Sequence, residues 1–301
     1  MNENEYLAAI LKQQTFAPDS QELNALQEHR GKVERLLCDY FKASSPTIRY
    51  GGSKAKGTMI KEAYDLDMTC YFGHDDTRAG QTLEDIYGNT RKALESDYWV
   101  EPKPSALRLK DHDPQKFKVD FHIDVVPGRY TDDTKTDTFL YQSSGEKKRL
   151  KTNLDVHIEH VRDSGVTEAI RLLKLWRVRN GIRIRHFALE LLTIKLLKDK
   201  KSLTLASQLK HVWEELRDHP DNLSIEDPAN PTGNDLSALL DASIKSELSG
   251  VARATLDAIA NSGWQAVFGP IDEMPEKEKT DSLKRAAARV VTPTKPWLPK
   301  A

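Results

Sequence analysis

The sequence predicts a mixed α/β (α+β) chain, with a small sheet in its first half and helices alone in its second. Short segments between residues 47 and 127 alternate apolar and polar residues, which is typical of strands. Apolar residues recur at helical spacing in residues 20–43 and again throughout the chain after residue 166. The length of 301 residues suits one large domain or two tightly joined domains.

The first half predicts helices packed on a small mixed sheet. The predicted elements are a long helix at 20–43, a strand at "TIRYGG", a short helix from "SKAKGTMI", a strand at 65–72, a helix at 81–97, and strands at "SALRLK" and "KFKVDFHIDVVP". In the last strand, Val119, Phe121, Ile123 and Val125 face one side, and Lys118, Asp120, His122 and Asp124 face the other. We expect Pro127 and Gly128 to end it.

The second half predicts helices only. They span 166–181, 186–198, 203–217, 235–248 and 250–262, with a turn-rich loop "DPANPTGN" at 227–234. We therefore divide the chain into residues 1–160, which hold the sheet and the long N-terminal helix, and a helical domain of residues 161–301. The Lys-, Glu-, Pro- and Ala-rich end, about 25 residues, is predicted to be a flexible tail.

Composition excludes several classes of protein. The 45 basic and 46 acidic residues give a net charge of −1, which argues against a protein that coats nucleic acid. The two cysteines, Cys38 and Cys70, lack the spacing of a zinc site or of a disulfide framework. The N-terminus does not resemble a secretory signal, and no run of 18 apolar residues occurs. We expect a cytoplasmic protein without zinc or membrane contact.

Two aspartates on one predicted strand suggest a metal site. Asp65 and Asp67 are two residues apart, so both carboxylates point to the same face. Adjacent carboxylates repel each other unless a cation lies between them, and Mg²⁺ prefers one or two carboxylates together with substrate phosphates. A third carboxylate from a neighbouring strand, Asp120 or Asp124, would complete a two-metal site. Solvated residues at a sheet edge are the alternative interpretation.

The segment "GGSKAKGT" predicts an anion-binding loop. A Gly-Gly-Ser turn that leads into a helix presents backbone N–H groups and a hydroxyl to a phosphate. Ser53 lies 12 residues before Asp65, which is near enough for the loop to hold a triphosphate over bound metal ions.

Four separated stretches resemble the nucleotidyltransferases of the polymerase-β superfamily. They are "GGSKAKGT", "DLD", "DVVP", and the helical set "IRLLKLW", "HFALELLT" and "DPANPTGN". The match is closest to the 2′-5′-oligoadenylate synthetases and cyclic GMP–AMP synthases with their bacterial relatives, the CD-NTases, and it spans roughly residues 45–270. The resemblance implies a polymerase-β-like catalytic core with a mostly antiparallel mixed sheet, followed by an oligoadenylate-synthetase-like helical domain.

The resemblance also implies roles for individual residues. Gly52 and Ser53 would hold the β- and γ-phosphates of the donor nucleotide. Asp65 and Asp67 would ligate two Mg²⁺ ions, which Mn²⁺ can replace. Asp124, rather than Asp120, would be the third ligand and would help to deprotonate the attacking ribose hydroxyl.

Four further residues are candidates for nucleotide binding. Lys174 would reach the triphosphate, or else extend from a buried helix to water. Phe187 would stack on a base where relatives often carry tyrosine, or else belong to the core, and His186 beside it stands where relatives carry a polar residue. Lys56 would face phosphate or RNA, or simply solvent.

The predicted function is synthesis of a cyclic di- or trinucleotide second messenger for anti-phage defence, with release of pyrophosphate. The substrates would be ATP, GTP or both, or pyrimidine triphosphates, and effector proteins would respond to the product. The absence of a Cys- and His-rich insertion and of a basic RNA-binding surface favours a bacterial CD-NTase that needs no nucleic-acid activator. A linear-product oligoadenylate synthetase, a tRNA 3′-end nucleotidyltransferase and a degenerate nucleotide sensor remain alternatives. The bases joined, the ring size and the linkage stay open.

Overall fold

The structure, a computed structural model, describes residues 1–112, 122–145 and 147–271. Its strands are β1 (Thr47–Tyr50), β2 (Asp65–Phe72), β3 (Trp99–Pro102), β4 (Leu107–Lys110), β5 (His122–Tyr130), β6 (Asp137–Tyr141) and β7 (Arg149–Asn153). Its α-helices are α1 (Glu3–Gln13), α2 (Gln21–Tyr40), α3 (Gly52–Lys56), α4 (Leu83–Leu94), α5 (Leu154–Arg162), α6 (Thr167–Arg179), α7 (His186–Leu196), α8 (Leu205–Asp218), α9 (Ala242–Ser262) and α10 (Gln265–Phe268). The predicted fold class, a mixed sheet followed by helices, is confirmed.

The strands form one mixed sheet in the order β1-β2-β5-β4-β3, and β6 joins the far end of β5 and pairs with β7. Only the β2–β5 pairing is parallel among the strand pairs of the described residues; the others are antiparallel. The register of the parallel pair places Asp67 opposite Asp124. Since β2 lies between β1 and β5, the interpretation of its aspartates as residues of a sheet edge is wrong.

One face of the sheet packs against α2 and α4. Leu66 and Met68 of β2 and Ile123 and Val125 of β5 are fully buried there with Leu37 of α2. These residues alternate along their strands with the aspartates, so burial of the apolar face directs the carboxylates to the opposite face. The hydrophobic effect thus fixes the orientation of the candidate site.

A second core lies among the helices that follow the sheet. Trp176 of α6 and Trp213 of α8 are fully buried at its centre, and Trp176 Nε1 donates a 2.8 Å hydrogen bond to Thr255 Oγ1. Leu7 and Ile10 of α1 are part of the same core. The first helix of the chain therefore packs with the last ones, although it falls within the predicted domain 1–160, whose boundary stays a prediction.

Local sequence explains where several helices begin. Ser20 accepts a hydrogen bond from the Leu23 amide at the start of α2, which confirms the predicted long helix with slightly shorter bounds. Helix α1, which the sequence interpretation missed, begins with a capping box between Asn2 and Glu5. The two helices predicted at 235–248 and 250–262 are instead one helix from Ala242 onward, α9, with Gly250 inside it, and a short 3-10 helix at Ser237–Leu240 precedes it.

Strand β5 extends past the predicted stop at Pro127 and Gly128. A Cβ at Gly128 would lie 2.7 Å from the Thr138 side chain, so this glycine permits the close approach of β6 rather than a turn. Strands β3, β6 and β7 and helix α5 were not predicted. The predicted positions of Lys118, Val119, Asp120 and Phe121, and the predicted tail after residue 271, lie outside the described residues.

Candidate nucleotide-binding and metal site

The three predicted metal ligands lie on the paired parallel strands. Asp67 and Asp124 are opposite each other in the β2–β5 register, and Asp65 is opposite His122. His122 Nδ1 lies 3.8 Å from Asp65 Oδ1, at the limit of an ion pair. Neighbouring strands are separated by about 4.8 Å, so the carboxylates of Asp67 and Asp124 share one small region of the sheet face.

The grouping of these carboxylates shifts their ionisation. Burial, together with the nearby charges of Asp65 and Asp124, raises the pKa of Asp67 to about 7. Burial also raises the pKa of Asp65, against the opposing attraction of Arg108. A divalent cation would relieve this repulsion, and carboxylates are the ligands that Mg²⁺ prefers. The chemistry of the three carboxylates therefore fits the predicted metal ions.

Arg108 of β4 holds the third carboxylate. Arg108 is opposite Asp124 in the β4–β5 register, and its Nε and Nη2 donate to Asp124 Oδ1 and Oδ2, each at 2.8 Å. Within the described ranges, no three side chains of His, Cys, Asp or Glu are gathered as a ready metal-binding cluster. The use of Asp65, Asp67 and Asp124 as a set of metal ligands stays a prediction, and the sequence interpretation missed Arg108.

The glycine loop packs directly on Asp67. The Gly51 amide donates a 2.8 Å hydrogen bond to the Asp67 carbonyl oxygen. Gly52 has a φ of +52°, and a Cβ there would lie 1.5 Å from Asp67 Oδ2, so no other residue fits. Ser53 follows in the short helix α3. The Thr58 amide donates a 3.0 Å hydrogen bond to the Ser53 carbonyl oxygen at the end of this helix. The loop and the carboxylates thus form one site, while phosphate binding by Gly52 and Ser53 stays a prediction.

A buried ionic cluster joins α3 to the helical part of the chain. Glu190 of α7 accepts from Lys56 Nζ at 2.8 Å and from Thr58 Oγ1 at 2.8 Å, and lies 2.5 Å from Lys174 Nζ of α6. Lys174 Nζ also donates to Thr58 Oγ1 at 2.8 Å. Lys56, Lys174 and Glu190 are only 7%, 3% and 2% exposed. The alternatives that either lysine merely faces water are therefore wrong, and their role with phosphate stays a prediction.

The charges in this cluster do not cancel. Burial acts to raise the pKa of Glu190, but the neighbouring Lys174 and Lys56 outweigh it and hold that pKa at about 2. Burial lowers the pKa of Lys174 despite the attraction of Glu190. Both lysines also favour the ionised form of Asp67. Counted by itself, the cluster has two ammonium groups against one carboxylate, and its excess positive charge can act on the Asp67 carboxylate and on an anion bound beside the glycine loop.

Phe187 and His186 occupy different surroundings at the start of α7. The half-buried Phe187 ring meets His157 edge-on at 5.1 Å between centroids, and Lys56 Nζ lies 5.0 Å from the Phe187 centroid. His186 Nε2 accepts from Arg177 Nη1 at 3.2 Å, and burial lowers the pKa of His186 to about 3. His186 is therefore a neutral acceptor. Phe187 lies next to the buried ionic cluster, and its stacking on a base stays a prediction.

The predicted loop at 227–234 closes against the same region. Asp227 is buried, accepts from Asn234 Nδ2 at 2.7 Å, and lies 3.2 Å from His157 Nε2. His157 in turn contacts Phe187, so the loop supports the side chains near the glycine loop. The sequence interpretation missed His157 because helix α5 was not predicted.

Comparison with known proteins agrees with this architecture. No protein-family model matches the chain. The cyclic AMP-AMP-AMP synthase of Escherichia coli (strain MS 115-1) is 23% identical over an alignment 291 residues long, and the match covers 80% of this chain and 87% of that protein. The structure of E. coli MS115-1 CdnC with ATP has a TM-score of 0.65 at 20% identity, covering 91% of this chain and 99% of CdnC. The Bradyrhizobium diazoefficiens CD-NTase CdnG in complex with GTP has a TM-score of 0.65 at 14% identity, covering 95% and 97%.

The sheet and the helices that follow it form a polymerase-β-like nucleotidyltransferase fold with a helical C-terminal part. More particularly, it is the fold of the CD-NTases, and the predicted resemblance to that family is confirmed. None of the helices in residues 1–112, 122–145 and 147–271 has the length and apolar character needed to cross a membrane.

Proposed function

We propose that the chain is a bacterial cyclic-oligonucleotide synthase, a nucleotidyltransferase that joins nucleoside triphosphates into a cyclic di- or trinucleotide and releases pyrophosphate. One observation carries the proposal. The glycine loop packs on Asp67, which lies opposite Asp124 across the parallel strand pair, so the anion-binding loop and the carboxylates face one space. This arrangement is what transfer of a nucleotidyl group from a triphosphate requires.

Asp65, Asp67 and Asp124 are the residues that would hold the two divalent cations, Mg²⁺ or Mn²⁺. When bound, these ions supply charge that stabilises the attacking and leaving oxygens. The chain itself positions the reactants. In this proposal Asp124, which is opposite Asp67 in the strand register, would take the proton of the attacking ribose hydroxyl. The hydroxyl then attacks the α-phosphate, and pyrophosphate leaves.

The other predicted residues bind the donor nucleotide in this proposal. Gly52 leaves the space above Asp67 free of side-chain atoms, and Ser53 offers a hydroxyl to the β- and γ-phosphates. Lys56 and Lys174 supply the excess positive charge of the buried ionic cluster. Phe187 offers a ring to the base, next to Lys56, and the neutral His186 offers a polar edge beside it. When the donor nucleotide binds, these fixed charges would replace mobile solvent around its phosphates, which favours transfer of the nucleotidyl group.

The relatives support a cyclic product and purine substrates. One relative is named for the synthesis of cyclic AMP-AMP-AMP, and the two similar structures are complexes with ATP and with GTP. We therefore expect ATP, GTP or both as substrates, and a product that acts on effector proteins in anti-phage defence. A linear-product synthetase and a nucleotide sensor without chemistry are the rival functions.

The test is product formation by the purified full-length chain. Wild type is incubated with Mg²⁺ and the four labelled nucleoside triphosphates, and the product is treated with phosphatase and identified by mass spectrometry. A phosphatase-resistant product establishes a ring, a sensitive product means a linear-product enzyme, and no product favours a sensor.

A double substitution links the activity to the site. Asp65→Ala with Asp67→Ala should abolish pyrophosphate release while the chain stays folded by circular dichroism. The matched control is Asp132→Ala with Asp133→Ala, an exposed acidic pair in the turn after β5, which should release pyrophosphate like wild type. Pyrophosphate release that survives the Asp65 and Asp67 changes would refute the proposed function.

A further inference from the structure

Arg108 occupies both oxygens of one predicted metal ligand. Its Nε and Nη2 each donate a 2.8 Å hydrogen bond to a separate oxygen of Asp124. The pair is fixed by the sheet, because the two residues are directly opposite in the β4–β5 register. The side chains of Arg108 and Asp124 are 26% and 16% exposed, so the pair is only partly screened by solvent.

This pairing distinguishes Asp124 from the other two carboxylates. In the parts of the chain that the structure describes, Arg108 makes side-chain hydrogen bonds to Asp124 and to neither Asp65 nor Asp67. Asp65 makes a 3.8 Å contact with His122, and Asp67 is packed against Gly52. Among the described residues, Asp124 is therefore the predicted ligand whose two carboxylate oxygens are both hydrogen-bonded to a cationic side chain.

A guanidinium group and a divalent cation oppose each other at one carboxylate. Both need the lone pairs of the same two oxygens, and their positive charges repel at a distance of a few ångströms, where little solvent lies between them. The bidentate pairing of arginine with a carboxylate is also among the stronger hydrogen-bonded arrangements in proteins. A cation that binds Asp124 must therefore weaken or displace Arg108.

We propose that Arg108 is a positioning residue that competes with the divalent cation for Asp124, so that this third ligand joins the metal site last. The inference rests on the proposed function, since it takes Asp65, Asp67 and Asp124 as metal ligands. Competition makes the affinity for the cation lower than three free carboxylates would give. The pairing with Arg108 also keeps both oxygens of Asp124 hydrogen-bonded while the site holds no metal.

The test measures binding of Mn²⁺ alone to the full-length chain by electron paramagnetic resonance. Arg108→Gln should bind Mn²⁺ about tenfold more tightly than wild type. The net free energy of a charge-assisted hydrogen bond, which the cation no longer has to overcome, corresponds to about a tenfold change in affinity. Arg108→Lys keeps a positive charge without the bidentate geometry and should fall between the two. Arg217→Gln is the matched control, because it removes a bidentate pair with Asp218 at the end of α8, away from the strands that carry the three aspartates, and should bind Mn²⁺ like wild type.

The outcomes separate this inference from the proposed function. If Asp65→Ala with Asp67→Ala binds Mn²⁺ as wild type does, the metal site itself is refuted and the role of Arg108 with it. If that double change abolishes binding but Arg108→Gln binds Mn²⁺ equally or more weakly than wild type, the competition is refuted and the metal site stands. Thermal unfolding of each variant shows whether the chain is folded. If Arg108→Gln does not fold, the Mn²⁺ affinity of Arg108→Lys relative to wild type decides whether Arg108 competes with the cation.

Discussion

Glu190→Gln tests whether the buried ionic cluster stabilises the fold. The carboxylate of Glu190 is 2% exposed and contacts Lys56, Lys174 and Thr58 at 2.5–2.8 Å. The neutral amide would remove the carboxylate that contacts both buried ammonium groups. Removing one partner of a buried pair costs about 3–5 kcal/mol, and because glutamine keeps a hydrogen bond to Thr58 we expect about 3 kcal/mol. For a chain of this size that is a fall of roughly 6 °C in the melting temperature.

Differential scanning calorimetry of wild type and Glu190→Gln checks the magnitude. Glu247→Gln is the matched control, because Glu247 pairs at 3.0 Å with the exposed Arg183 and should cost less than about 1 kcal/mol. Glu190→Leu combined with Lys174→Met should recover part of the loss, since apolar groups can replace a buried pair. A melting temperature for Glu190→Gln equal to that of the control would refute the reasoning.

Three other substitutions test separate parts of the structure. Gly52→Ala should slow nucleotidyl transfer by about 100-fold or more, because its Cβ would lie 1.5 Å from Asp67 Oδ2 and displace that carboxylate; chromatography of the product checks this. Burial lowers the pKa of His186 to about 3, so as the pH falls the unfolded chain takes up the proton first and wild type loses stability below about pH 6.5. His186→Gln should remove about 2 kcal/mol of the loss between pH 7 and pH 5, and equal urea midpoint shifts in both chains would contradict this. Tyr6→Phe removes a 2.5 Å hydrogen bond to the Gly269 carbonyl oxygen and should cost about 1 kcal/mol in urea unfolding without changing transfer activity; an unchanged midpoint would show that the bond contributes nothing.

Strong periodicity made part of the fold predictable. Helix α2 was predicted because Leu26, Val33 and Leu37 recur at helical spacing. The structure buries these three residues on one face of the helix. Strand β6 was not predicted, and β5 was stopped too early because Pro127 and Gly128 resemble a turn. Pairing with β2 and β6 keeps both residues in the strand, and a single sequence does not contain that tertiary information.

The candidate site was predictable where its residues are close in sequence. The spacing of Asp65 and Asp67 fixes a common face, since side chains alternate along a strand. The partners of the site were not predictable in this way. Arg108 meets Asp124 only through the register of two strands, and Glu190 meets Lys56 across 134 residues of sequence. Such contacts depend on how whole elements pack, which residue spacing does not reveal.

The placement of α1 has a consequence for how the chain is made. Tyr6 bonds to Gly269, 263 residues later, and Leu7 and Ile10 are buried among helices that follow residue 161. At roughly 5–20 residues per second of synthesis, α1 leaves the ribosome about 13–50 s before its last partners exist. Until α6 and α8 have been made, its apolar face has no native surface to cover it. The first helix of the chain is thus among the last to reach its final position, and it completes the helical core from the opposite end of the sequence.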